Sequence, residues 1–406
     1  MTDTGTQNLL ESAWWQGVKA VEGRFATRNW LNRNHPVQYD AVLAMGKAAG
    51  AMALGADDAL EDGFTGLVIT KYGHVTAELS RRPHLTVFES AHPTPDQSSL
   101  QSGQMAREFV QSRGSEDRLL VLISGGASAL VENLMPHVEL GDLQSINEFM
   151  HASGWDIGRM NSLRRSLSQV KGGRLLSTFS GRHIDVLAIS DVPGDDISVI
   201  ASGIGSPFLV KDELSPLPEQ FAHLQRSVRN QEHDESSRYT HNVTIIGSNA
   251  VARAAAADFL TAQGRAIRCN AETLYADVFE VAATLAETLR QGPEGAYIWG
   301  GEPTVKLPQS PGQGGRNQSL AMAMACELGD QSDVAVLVAG TDGNDGPTDA
   351  AGALICPAEL DLSDAPVYLQ AANAYPWLKA QNALFISEPT GTNVMDLVVA
   401  LKTAPP

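Results

Sequence analysis

Cysteine is nearly absent from this chain. Only Cys269, Cys326 and Cys356 occur in 406 residues, an odd number with neither a Cys-x-x-Cys pair nor a Cys/His ligand spacing. That argues against a disulfide framework and a structural zinc site. Reduced, buried thiols of a cytosolic protein are expected. Long apolar runs are missing too: no stretch approaches about 18 uninterrupted apolar residues, so no membrane span is predicted. Met1–Gly17 has no basic segment leading into an apolar core, which predicts no secretory leader and a cytoplasmic location. Positive charge is scarce, with 29 Lys and Arg against 47 Asp and Glu, a net charge of −18. A surface of that sign repels phosphate backbones and anionic headgroups, so neither nucleic acid nor a membrane is an expected partner. An anionic small molecule would need a local positive pocket set against this field.

Apolar residues at 43% and charged residues at 19% are ordinary globular values and exclude wholesale disorder, collagen and coiled coil. At roughly 150 residues per domain, the length predicts two or three domains. A recurring unit runs along the chain: a short apolar run, a Gly- or Asp-containing turn, then an apolar-periodic helix. Ala41–Met45 leads into Gly46-Lys47, Leu119–Ile123 into Ser124-Gly125-Gly126, and Val186–Ile189 into Ser190-Asp191. Val243–Ile246 leads into Gly247-Ser248-Asn249, and Val334–Val338 into Gly340-Thr341-Asp342-Gly343. Ala383–Ile386 is followed by an expected helix over Asn393–Leu401. Apolar strands alternating with helices predict the α/β class with sheets covered on both faces. Leu274, Val278, Val281, Leu285 and Leu289 form the stripe of a helix lying on such a sheet. Asp212–Asn242 is polar, Pro-containing and aperiodic, and reads as a connection between halves of about Met1–Glu235 and Ser236–Pro406.

In open α/β sheets ligands collect on the turns at the carboxyl ends of strands. Ser124-Gly125-Gly126-Ala127-Ser128 could cradle a phosphate with backbone N–H groups and the positive end of the following helix, or could simply be a tight turn. Lys47 opens a helix of small apolar residues, where a cation opposes the dipole unless an anion is bound, so an anion ligand is favoured. Arg316 follows Gly312-Gln313-Gly314-Gly315 and presents a fork of donors suited to a multiply charged anion. Asp342, Asp345 and Asp349 crowd one strand end. The calcium-loop spacing fails there, leaving Mg²⁺ or Asx-turns. Asp191 and Asp195 form a second acidic turn with the same two readings. His92-Pro93-Thr94-Pro95-Asp96 reads chiefly as a helix start, and Lys171-Gly172-Gly173-Arg174 as the capped end of a helix. No Walker loop and no dinucleotide fingerprint opening a helix occurs.

Together these turns resemble the class II glycerate kinases with a MOFRL-type C-terminal region. The resemblance runs through Met45–Ala49, His92–Asp96, Ser124–Leu130, Lys171–Arg174 and Ser190–Gly203. It continues through Gly300–Val305, Gly314–Gln318, Gly340–Gly352 and Pro389–Asn393. It implies two dissimilar three-layer α/β/α domains, the first with a Rossmann-like parallel sheet and the second with a mixed sheet, and an active site in the cleft between them. It implies transfer of the ATP γ-phosphate, with Mg²⁺, to the 2-hydroxyl of D-glycerate, giving 2-phosphoglycerate. Lys47 and Arg316 are the implied catalytic residues. On this reading Ser124–Ser128, Asn317, Thr392 and Asn393 hold the nucleotide phosphates, and Lys47, Arg316 and His92 meet the substrate. Asp191 and Asp342 or Asp345 hold Mg²⁺ or orient the attacking hydroxyl. A monomer or homodimer is expected. The alternatives are a kinase of a related hydroxy acid, a catalytically weak sugar-acid or nucleotide binder, and a hydroxypyruvate reductase.

Overall fold

The computed structural model describes residues 4–34, 38–155, 157–206, 217–224 and 240–404. The expected boundary between Glu235 and Ser236, and most of the expected connection, lie outside the described residues. Contacts divide the chain into one unit of Gly23–Ile246 and another of Met1–Glu22 with Gly247–Pro406. The division therefore differs from a single cut: the first helix, Thr4–Ala20, packs with the carboxyl-terminal part of the chain.

The first unit is built on β1 (Ala41–Met45), β2 (Thr65–Lys71), β3 (Leu85–Ser90), β4 (Arg118–Ile123), β5 (His183–Ile189) and β6 (Thr240–Gly247). Their order in the sheet is β3-β2-β1-β4-β5-β6, and the first five run parallel. Every residue of β1 is buried, the pattern of a strand covered on both faces. Ala41, Leu43 and Met45 face one core, shared with Ala106 and Val110 of the helix Gln97–Gln111. The helix Ala49–Asp57 packs on β1 and β2 and against the helix Gly23–Arg33. A satellite core of Ile146, Met150, Leu163 and Leu167 joins the helices Leu140–Ala152 and Ile157–Ser166.

The second unit holds β7 (Ile267–Leu274), β8 (Gly295–Gly301), β9 (Val334–Gly340), β10 (Gly352–Ile355), β11 (Leu384–Phe385) and β12 (Asp396–Lys402). The order is β11-β10-β9-β12-β8-β7. Only the β7–β8 pair is parallel; the other pairs are antiparallel, so the sheet is mixed. Residues alternate between two cores, as the period of two requires. Val336 and Val338 pack with the helices Val278–Gln291 and Arg316–Leu328. Ala335, Leu337 and Ala339 pack with Thr4–Ala20 and Asn249–Ala262. Two dissimilar α/β units, one with a Rossmann strand order and one with a mixed sheet, are thus present as expected.

Three local expectations are corrected. Asn393–Leu401 is not a helix: residues 396–402 are a strand between β8 and β9, buried from Asp396 to Leu401. A continuous apolar run does not discriminate a buried strand from a buried helix, and the Val398-Val399 pair favours the strand. Leu274 ends β7, and the helix begins at Val278 behind the Asp277 cap, although all five stripe residues share one core. The helix after the Ser124 turn is only Ala127–Leu130, a single turn, so its dipole contributes little. Of the three free thiols, Cys356 is buried and Cys269 and Cys326 are half-buried.

Trp14 is fully buried in the second unit's core, with its ring centroid 5.0 Å from that of Phe385. Trp14→Ala is expected to destabilise that unit by about 3–5 kcal/mol. Hydrogen exchange should then quicken in β8, β9 and β12 while β1 and β4 keep their protection. The reverse pattern would show that the first helix belongs elsewhere.

Candidate active site

In the order β3-β2-β1-β4-β5-β6 the chain winds one way from β1 and the other way from β4, so the crevice at their carboxyl ends is the ligand-binding switch point. Met45 and Ile123 are paired in register, which sets the two following turns side by side. Gly46 has φ +125°, and a Cβ there would lie 2.3 Å from Ser124 Oγ. Only glycine permits that approach. The Ala48 N–H donates to Ser124 Oγ (3.0 Å) and the Lys47 N–H to the Gly125 carbonyl (2.9 Å), locking the turns together.

Side chains from β3, β5 and the β1 turn close around this glycine pair. A Cβ on Gly125 would lie 2.0 Å from Asp191 Oδ2; on Gly126 (φ +85°) it would lie 3.1 Å from His92 Nε2 and 3.1 Å from Lys47 Cγ. The glycines are therefore required by close approach as well as by the turn. Lys47, His92, Ser124–Ser128 and Asp191, all anticipated from sequence, meet at one strand-end cluster. Among the described residues, no hydrogen bond engages the backbone N–H of Gly126, Ala127 or Ser128. The Ser128 hydroxyl lies 2.8 Å from that of Ser202, which donates to Asn161 Oδ1. Ala201 and Ser202 hold this support at φ 51° and 54°, a strained conformation for residues with a Cβ.

Burial, then the nearby Lys47, Lys71 and His74, depress the His92 imidazole to about 4. His92 is thus neutral near neutrality and available as a hydrogen-bonding group. Lys171, read as a helix cap, is fully buried and ion-paired with Glu132. Nothing in the local sequence distinguished it from a solvated terminal lysine.

In the second unit, Arg316 opens its helix beside the ends of β8 and β9 and the start of β12. Its Nε and Nη2 bind the two oxygens of buried Asp396 at 2.6 and 3.1 Å, and Nη1 reaches Glu302 at 2.6 Å. Burial alone would lower its pKa; Asp396 and then Glu302 outweigh burial and raise it. Sequence reading missed Asp396 because it was assigned to a helix. Asp345, expected to hold Mg²⁺ or orient the attacking hydroxyl, has its carboxylate capping Arg316–Leu328, accepting from Asn317 N at 3.0 Å and Gln318 N at 2.8 Å. A Cβ on Gly315 would lie 2.2 Å from that carboxylate, which is why glycine precedes Arg316. Burial pushes Asp345 up to about 7, against the pull of those amides.

Asn317 is buried and donates to Asp345 and Asp396, while its Oδ1 lacks a partner among the described residues. Thr392 does not face a ligand through its hydroxyl, which is buried and donates to the Val21 carbonyl at 2.6 Å. Asn393 Oδ1 accepts from Met395 N. Asp342 is half-buried with Oδ1 in an Asx-turn to Asn344 N at 3.0 Å. No group of three or more His, Cys, Asp or Glu able to hold a metal occurs among the described residues, and no helix there is long and apolar enough to cross a membrane.

The strand order and the loops at its switch point define a doubly wound α/β protein with a lysine and a glycine pair in the crevice where such folds take ligands. Residues 9–213 match a family described as a domain of unknown function (DUF4147), and residues 295–396 match the MOFRL family. The D-glycerate 2-kinase of Thermotoga maritima is 32% identical over 94% of this chain and 96% of its own length. A putative hydroxypyruvate reductase of Agrobacterium vitis is 30% identical over 97% and 94%. The crystal structure of the glycerate kinase from Thermotoga maritima superposes with a TM-score of 0.85 at 29% identity, covering 98% of this chain and all of that one. The chain belongs to the glycerate kinase family.

Two measurements check the assignments made to buried acids and bases. Asp345→Ala is expected to lower stability by about 1–2 kcal/mol through loss of the helix cap; an unchanged urea midpoint would rule the cap out. Because His92 titrates lower in the fold than in the unfolded chain, its burial makes stability fall as pH drops from about 6.5 to 4. His92→Gln should flatten that part of the stability–pH curve.

Proposed function

We propose that this protein is an ATP- and Mg²⁺-dependent kinase that phosphorylates D-glycerate on its 2-hydroxyl. The observation that carries this reading is the convergence of Lys47, His92, Asp191 and the Ser124–Ser128 turn at the switch point of the first sheet. Phosphoryl transfer needs charge neutralisation and alignment more than covalent chemistry. The N–H groups of Gly126, Ala127 and Ser128 suit phosphate oxygens, and Lys47 beside Gly126 supplies positive charge to the group in transfer. Asp191, seated against Gly125, is positioned to orient the attacking hydroxyl. Neutral His92 contributes a hydrogen bond to the acceptor.

For the second unit the same reading gives Arg316 and Asn317, with Asn393 in the neighbouring loop, a role in binding nucleotide phosphates. Of the acidic residues in that unit, Asp342 fits Mg²⁺ better than Asp345, since Asp342 Oδ2 is not engaged by a helix terminus and Mg²⁺ keeps waters and takes only one or two carboxylates. Bound Mg²⁺ would neutralise charge on the phosphate oxygens. The hydroxypyruvate reductase reading lacks support, since Gly46-Lys47-Ala48 follows β1 in place of a dinucleotide fingerprint.

Lys47→Ala is expected to lower turnover by about 10²–10³-fold with little change in stability. Arg316→Ala should do the same but also cost about 1–3 kcal/mol, because it leaves buried Asp396 with the Asn317 amide in place of the guanidinium. Pairing it with Asp396→Asn separates the two effects. Coupled ADP release, with phosphorus NMR of the product, reads both the rate and the phosphorylated position. Near-normal turnover in Lys47→Ala, or no D-glycerate-dependent ADP release by the unaltered protein, would refute the proposal.

A further inference from the structure

A pocket of about 630 Å³ in the first unit is lined by Gly126 and Ser128 of the glycine turn, the His92–Pro95 loop, Glu132, Arg164 and Lys171. Its volume is that of a small-molecule site. Three charged groups meet there away from bulk water. Lys171 is ion-paired with Glu132 Oε2, and the other oxygen of Glu132 accepts from Ser168 Oγ at 2.5 Å and Asn133 N at 2.9 Å. Glu132 is thus fully engaged. Arg164 lies close enough to both to raise the cost of charging Lys171 and to be stabilised by Glu132.

Two basic side chains therefore share one carboxylate in a chain whose net charge is −18. Lys171 holds the ion pair with Glu132, and Arg164 does not. Its Nε donates to Asn147 Oδ1 at 2.9 Å, which fixes the guanidinium plane. Among the described residues its η nitrogens have no hydrogen-bond partner and no ion pair. A half-buried guanidinium with an unused fork is costly unless an anion enters, and its planar pair of donors matches a carboxylate. Glu148, the other acid lining the pocket, is exposed.

We propose that Arg164 binds the carboxylate of the hydroxy-acid acceptor, with the acceptor's hydroxyl end directed to the Gly126–Ser128 turn. This inference rests on the kinase reading for its substrate and names the residue that selects an acid over a neutral polyol. Arg316 already holds two carboxylates, so the substrate carboxylate has its own, separate cation in the first unit.

Steady-state kinetics with D-glycerate and with glycerol, the same carbon skeleton without the carboxylate, test it. Arg164→Gln is expected to raise KM for D-glycerate by about 10²-fold, leave KM for ATP unchanged, and leave the weak turnover of glycerol unchanged. Arg164→Lys keeps the charge without the fork and should recover part of the loss; it also serves if the glutamine variant fails to fold. An unaltered KM for D-glycerate in a folded variant, or equal losses with D-glycerate and glycerol, overturns the proposal. Calorimetric titration of D-glycerate without nucleotide separates this failure from that of the kinase reading. If the unaltered protein does not turn over D-glycerate yet binds it in an Arg164-dependent way, the carboxylate site stands and the kinase assignment falls. Binding that is absent, or indifferent to Arg164, removes the site.

Discussion

The in-register pairing of β1 with β4 is the contact on which the first unit's site depends. Met45 opposite Ile123 brings Gly46 against Ser124 so closely that no side chain fits between them. Every later feature follows from that adjacency. The two turns exchange hydrogen bonds through Lys47 N and Ala48 N, the glycine pair is held open, and Asp191, His92 and Lys47 occupy the space that side chains at Gly125 and Gly126 would take. The same device recurs in the second unit, where Asp345 fills the place of a side chain on Gly315 and caps the helix that carries Arg316. A glycine beside a carboxylate is thus the means by which both units let an acid approach the backbone closely.

Charge is arranged locally against the acidic whole. Arg316 is neutralised by Asp396 and Glu302, so it acts as one part of an acidic network that it also holds together. Lys171 is neutralised by Glu132, while Arg164 beside it is not. Net charge describes the long-range field over the surface. It does not reveal how each cation is paired: among the described residues the η nitrogens of Arg164, seven residues before Lys171, have no ion pair.

The strands that precede the functional turns were legible because each holds a short apolar run leading into a turn with glycine or aspartate, and β1, β4, β5 and β9 lie where those runs lie. The turn residues were legible for the same reason: a strand end is where a parallel sheet presents its chemistry. Asp96 and the serines after it form the capping box that the helix start implied. What misled was context. Asp396–Lys402 carries an apolar pattern compatible with either element, and only its place between β8 and β9 makes it a strand. Lys171 and Thr392 carry local signals of a cap and a ligand loop, yet one is sealed in an ion pair and the other ties down the end of the first helix.

By itself the sequence determined the α/β class, the positions of the loops and the acidic surface, since these follow from periodicity, turn chemistry and composition, all of which are local or additive. Only the tertiary structure decided that residues 4–22 belong with the second sheet, that Asp345 is a helix cap, that His92 is neutral and that Glu132, Arg164 and Lys171 meet. Each of those depends on burial and on partners distant in the chain. A side chain's protonation and its unsatisfied bonds are set by the groups that fold around it, and those neighbours are fixed by packing and not by spacing.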